Sequence, residues 1–148
     1  MIAALKALGK KPLPDDIEVA GRRYHQRRVF KNDFFAATAF YEGDHGKVVL
    51  KVQRQASFFG FPLSWVGRIL TAKEVAALTR LDGVPGVPRL IGRWGRTGLV
   101  REYVDGCTLA DAEKIGDEFH PRLRTLIDEL HRRGMAFVDL DAVRPPGR

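Results

Sequence analysis

The chain has 148 residues, 45% hydrophobic and 29% charged, with a net charge of +7, the size and balance of one globular domain or of one lobe and part of a second. The single Cys107 excludes an internal disulfide and a multi-cysteine zinc site, and it suits the cytoplasm. No apolar run approaches the ~18 residues of a membrane span, and Met1–Leu8 lacks the length and cleavage site of a secretory signal.

The charge is uneven. Residues 1–31 carry Lys6, Lys10, Lys11, Arg22, Arg23, Arg27, Arg28 and Lys31 against Asp15, Asp16 and Glu18, a local +5. Such an end suits nucleic acid, anionic lipid or a phosphorylated ligand, or is simply a solvated tail and strand. The solvated reading is preferred, because short basic runs are often false signals. Residues 1–16 read as a loosely held leader ending in Pro12 and Pro14.

Three strands are predicted next, at Arg27–Phe30, Ala36–Tyr41 and Lys47–Gln53, all rich in Val, Phe, Tyr and Thr. The turn Glu42-Gly43-Asp44-His45-Gly46 makes the second and third a hairpin. Phe58–Leu70 (FFGFPLSWVGRIL) is the most apolar stretch. It could enter a bilayer interface through Phe58, Phe59, Phe61 and Trp65, but burial against the domain is the expectation. Val66, Ile69, Leu70, Ala77, Leu78 and Leu81 recur at helical spacing and predict a helix over 66–81.

Asp82-Gly83-Val84-Pro85-Gly86 ends that helix, and strands follow at Pro88–Arg93 and Gly98–Val104. A last helix is predicted over Asp117–Arg133, with the stripe Phe119, Leu123, Leu126, Ile127 and Leu130. Gly134 stands where a left-handed helix terminus belongs. Three strands, a helix, two strands and a helix suit an α+β fold: a five-stranded antiparallel sheet with one inserted helix.

Three residues stand out chemically. Strand alternation sets Val48, Leu50 and Val52 on one face and Val49, Lys51 and Gln53 on the other. Lys51 is then either a charge that blunts a strand or a ligand-binding cation. Glu74, at the spacing Leu70, Glu74, Leu78, Leu81, falls in the apolar stripe, where a carboxylate needs a partner. Lys51 is the candidate, the alternatives being a nearby arginine or water. Asp139, in Phe137-Val138-Asp139-Leu140, has poor strand propensity. It either accepts loop hydrogen bonds or is a general base on a rigid loop.

In order and spacing these pieces resemble the protein-kinase-like superfamily, of the small bacterial serine/threonine or lipopolysaccharide-kinase type. Lys51 resembles the strand lysine that holds the α- and β-phosphates, with Val49 over the adenine. Glu74 resembles its helix partner, and Arg101-Glu102-Tyr103-Val104-Asp105-Gly106-Cys107-Thr108-Leu109 resembles the hinge. Leu130–Leu140 resembles the catalytic loop "LHxxGxxHxDL", with Asp139 as the base. The resemblance implies ATP and Mg²⁺ as cofactors. It implies Lys51, Val49, Glu102, Val104 and Lys31 as nucleotide-binding residues, and Asp139, Lys51 and Glu74 as catalytic.

It further implies a basic leader at 1–21, an N-lobe with hinge at 22–106, the start of a C-lobe at 107–140 and an atypical Pro/Arg tail at 141–148. The departures are specific. Phe30-Lys31-Asn32-Asp33-Phe34-Phe35 replaces the glycine-rich loop, though Lys31 and the turn's N–H groups suit phosphate. Phe137 and Val138 replace the loop histidine and arginine, and Arg144 stands at the metal-binding asparagine. The expectation is a chain truncated after Asp139, with no metal ligands of its own and impaired transfer. The alternatives are a nucleotide- or protein-binding pseudokinase fragment and a small basic nucleic-acid binder. The acceptor is unknown, nucleic acid is not the expected partner, and a membrane surface is the weaker one. Binding of a partner, or self-association, through an exposed C-terminal helix is also expected.

Overall fold

The computed structural model describes residues 6–57, 61–107, 111–112 and 114–136. Its elements run β1 (Asp16–Val19), β2 (Arg22–Asn32), β3 (Ala36–Gly43), β4 (Gly46–Gln53), α1 (Ser64–Arg80), β5 (Leu90–Trp94), β6 (Gly98–Glu102) and α2 (Phe119–Arg132). The strands form one antiparallel sheet in the order β1-β2-β3-β4-β6-β5. It is an α+β fold, with α1 packed on the sheet and α2 beyond it.

Among the described residues the sheet has six strands where five were expected. The additional strand is β1, inside the stretch 1–21 read as a basic leader. Its alternation Asp16-Ile17-Glu18-Val19 buries Ile17 and Val19, and Ala20 and Gly21, both at positive φ, turn the chain into β2. Ala7, Leu8 and Leu13 are buried too, and the Tyr41 hydroxyl donates to the Pro14 carbonyl at 2.7 Å. Apolar burial therefore holds residues 7–19 on the sheet despite their charge.

Alternation along β4 is as expected. Val48, Leu50 and Val52 join Leu8, Leu13, Ile17, Val19, Tyr24, Ala37, Ala39, Tyr41 and Val100 in the main core on one face. On the other face lies α1, 17 residues long. Its buried residues are Gly67 and Thr71, whereas Ile69 and Leu70 of the predicted stripe are exposed. The reason is steric: a Cβ at Gly67 would lie 2.2 Å from the Arg54 carbonyl oxygen at the end of β4. Only a glycine lets the helix approach that closely.

A second core joins the end of α1 to α2. Leu81, Val84 and Leu130 are buried there, with Val87, Leu126 and Met135 packed around them. Arg133 ties the two ends together, its Nη1 donating to the Arg80 carbonyl at 2.9 Å and its Nε to Glu129 Oε1 at 2.7 Å. Gly134 has φ +73°, the left-handed terminus expected of it. The α2 stripe, expected to be exposed, is half-buried at Phe119, Leu123, Leu126 and Ile127. Phe119, Leu123 and Leu126 line an apolar groove of about 900 Å³ with Val84, Pro85 and Gly86.

Candidate nucleotide site on the helix-bearing face of the sheet

Cross-strand register places the candidate residues in two rows on one face. Directly paired residues carry their side chains on the same side. One row runs Lys31 (β2), Thr38 (β3), Lys51 (β4), Leu99 (β6), and the next runs Arg28, Phe40, Val49, Arg101. Lys31 and Lys51, two strands apart, are about 10 Å from one another along the row by strand spacing.

At the centre, Lys51 Nζ donates to Glu74 Oε2 at 2.8 Å. Gln53 Nε2 donates to the same oxygen at 2.9 Å. Glu74 reaches both because Gly67 and Thr71, two turns and one turn earlier on the same side of α1, draw the helix onto β4. The side chains of Lys51 and Glu74 are 29% and 27% exposed. The pair is therefore shielded enough to hold its geometry and open enough to meet a ligand.

Beside the pair, Val49 is buried and three aromatic rings gather. Phe40 and Tyr103 lie 4.6 Å apart between centroids, and Phe30 stacks at 6.4 Å from each. Phe30 takes this position because a bulge between Val29 and Lys31 re-aims it. Arg28 and Lys47 sit over the Phe30 and Tyr103 rings. Val49 and the three rings thus form one contiguous apolar cluster at the strand end.

In the hinge run, the Glu102 N–H donates to the Arg89 carbonyl at 2.8 Å and the Tyr103 N–H to the Lys47 carbonyl at 3.2 Å. Glu102 Oε2 accepts from the Arg89 N–H at 3.3 Å. Val104 follows the last strand and is 63% exposed. Arg101 pairs with Val49 and so shares its face. Its Nε is buried without a hydrogen-bond partner among the described residues.

The β2–β3 turn is closed by its own aspartate. Asp33 Oδ1 accepts from the N–H groups of Phe35 at 3.1 Å and Ala36 at 3.0 Å, and Oδ2 meets Lys31 Nζ at 2.5 Å. Burial works against ionisation of Asp33, but the Lys31 ammonium and the two backbone donors outweigh it and hold the carboxyl below its usual range. Lys31 and these N–H groups, expected to be free for phosphate, are engaged by a carboxylate instead.

Asp139, Phe137, Val138 and Arg144 lie outside the described residues, as do Thr108 and Leu109 of the hinge run. Sequence reasoning did not single out Gln53, Phe40, Phe30 or Tyr103 as site residues. Gln53 was readable as the second residue after Lys51 on its face. Phe40 follows from the two-residue Asp44-His45 turn, which sets it opposite Val49.

The face defines a protein-kinase-like lobe, an antiparallel sheet whose central strand lysine pairs with the glutamate of the one helix packed on it. The fold is similar to the solved structure of vaccinia related kinase 3, with a TM-score of 0.52 and 14% sequence identity over 89% of this chain. The chain spans 46% of the length of that kinase. No family model matches the sequence, and no curated protein does.

Proposed function

We propose that this chain is the nucleotide-binding part of an ATP-dependent, protein-kinase-like phosphotransferase. The observation that carries the reading is the Lys51–Glu74 contact of 2.8 Å, joining strand and helix beside the aromatic cluster where a purine slot is proposed. A lysine held by a carboxylate keeps its ammonium oriented, ready to neutralise phosphate charge. Val49, Phe40 and Tyr103 would hold the purine, and the Glu102 carbonyl and Val104 N–H would read its edge. ATP, when bound, supplies the transferable phosphoryl group. Among the described residues no three His, Cys, Asp or Glu side chains converge on one point, so the Mg²⁺ that the resemblance implies has no ligand set described here.

Asp139 would orient an acceptor hydroxyl of unknown identity. Arg144, at the position of a metal-binding asparagine, favours a second reading, a pseudokinase that binds nucleotide without transferring phosphate. A cytoplasmic location belongs to the same reading, and among the described residues no helix is long and apolar enough to cross a membrane. The apolar groove along α2 supports association through that helix, read as a concentration-dependent mass. Thermal shift with ATP tests the site. A shift is expected for the wild type and none for Val49→Trp, which fills the slot, or Lys51→Ala. Equal shifts in all three proteins would place the nucleotide elsewhere.

A further inference from the structure

Helix α1 has a second apolar face, turned away from the sheet. Trp65, Ile69, Ala72 and Ala76 follow at i, i+4, i+7 and i+11, and all four are exposed, Trp65 at 55% and Ile69 at 46%. Phe61, just ahead of the helix, is 73% exposed. The burial expected of this stretch is thus absent at Phe61, Trp65 and Ile69, while Phe58 and Phe59 lie outside the described residues. Arg68 and Lys73 flank the stripe on either side and are exposed as well.

At the N-terminal end of α1, which also carries Trp65, opens a polar cavity of about 520 Å³, lined by Lys11, Arg68 and Arg96 with Ser57, Ser64 and Thr97. Among the described residues none of these three cations stands in an ion pair. The first turn of α1 beside it has no acidic residue and no side-chain cap, so the positive end of the helix dipole adds to the field. Three uncompensated cations, hydroxyl donors and a helix N-terminus select an oxyanion, and the protruding aromatic rings alongside select an apolar medium.

We propose that this surface docks on an anionic phospholipid bilayer. The Lys11–Arg68–Arg96 cavity takes a headgroup phosphate, Phe61, Trp65 and Ile69 enter the interfacial layer, and Arg68 and Lys73 lie along the headgroups. An apolar stripe bordered by basic residues and anchored by tryptophan is the pattern of an interfacial helix. The charge of +7 on the chain complements such a surface. A second copy of the chain fits less well, because a two-fold pairing through α1 sets the basic rims against one another.

The test is flotation of the full chain with phosphatidylcholine vesicles, with and without about one-third phosphatidylglycerol, at low and high salt. Binding is expected only to the anionic vesicles and should weaken with salt. Arg68→Gln with Arg96→Gln should weaken it by roughly 30-fold, and Phe61→Ser with Trp65→Ser by about tenfold or more. All these side chains are exposed, so unchanged thermal melts are the control for folding. Failure to bind anionic vesicles at low salt overturns the proposal. So does undiminished binding of the Phe61/Trp65 variant, which would mean mere adsorption of a basic protein. A melting-temperature rise with inorganic phosphate or a phosphopeptide, lost in the Arg68/Arg96 variant and without vesicle binding, would reassign the cavity to a soluble phosphate ligand. Nucleotide binding enters none of these readouts.

Discussion

Replacing Gly67 with alanine sets two effects of opposite sign against each other. In a helix interior the change ordinarily adds about 1 kcal/mol of stability. Here the new Cβ would stand 2.2 Å from the backbone carbonyl oxygen of Arg54 and 3.4 Å from Thr97 Cγ2. A carbon needs about 3.3 Å from such an oxygen, so α1 must retreat by about 1 Å. A backbone atom cannot rotate aside, which puts the cost near the upper end of the 1–3 kcal/mol typical of overpacking. The net expectation is a loss of about 2 kcal/mol, or about 4–8 °C in melting temperature for a chain of this size. The same retreat pulls Glu74 from Lys51 and Gln53, so ATP should shift the melting of the variant less than that of the wild type. Urea and thermal denaturation decide the matter. A Gly67→Ala protein as stable as the wild type, or more so, would refute the close approach of α1 to β4.

Removing the acceptor with Glu74→Ala strands the Lys51 ammonium and the Gln53 amide, and should cost about 1–3 kcal/mol in denaturation and abolish the ATP-induced shift, with Glu74→Gln intermediate. The lowered pKa of Asp33 means that its contribution is present above the unfolded value of about 3.9 and is lost as pH falls through the folded one. The advantage of wild type over Asp33→Ala in urea midpoint should therefore hold from about pH 7 to 5 and disappear in stronger acid; an advantage that persists there would exclude the carboxylate as its source. Metal-dependent phosphoryl transfer by the 148-residue chain should not exceed that of Asp139→Asn, because a cation at Arg144 opposes Mg²⁺ where the resemblance places a ligand. Turnover that the substitution abolishes would show the chain to be competent.

Much of the site was legible because period two is rigid. Once Asp44 and His45 are the turn, Thr38 faces Lys51 and Phe40 faces Val49, and the face of every β4 side chain is settled. The Lys51–Glu74 pairing could be read from one buried-side carboxylate and one strand lysine. β1 was lost because the charge of residues 1–31 outweighed a four-residue alternation. The closure of the β2–β3 turn by Asp33 depends on backbone donors, which no side-chain pattern announces. The Phe30 placement depends on a bulge, which shifts register by one and cannot be counted from either strand alone.

The helix shows why hydrophobic periodicity finds an element more readily than it orients one. α1 has apolar residues on both sides, Trp65, Ile69, Ala72 and Ala76 outward and Leu78 and Leu81 inward, so no single face dominates. What turns it is fit and charge. The residues against β4 are Gly67, with no side chain, and the short Thr71, and the next in line is Glu74, which needs the Lys51 ammonium. Rotating the helix to bury Trp65 and Ile69 would set an indole against the Arg54 carbonyl, where a Cβ already fails to fit. It would also carry Glu74 into water and leave Lys51 without its carboxylate. Burying the aromatic face would gain roughly 1.5–3 kcal/mol per large side chain, yet the backbone at Arg54 leaves no room for it. The helix therefore keeps its largest apolar side chains in solvent and spends its contact with the sheet on a glycine, a threonine and an ion pair.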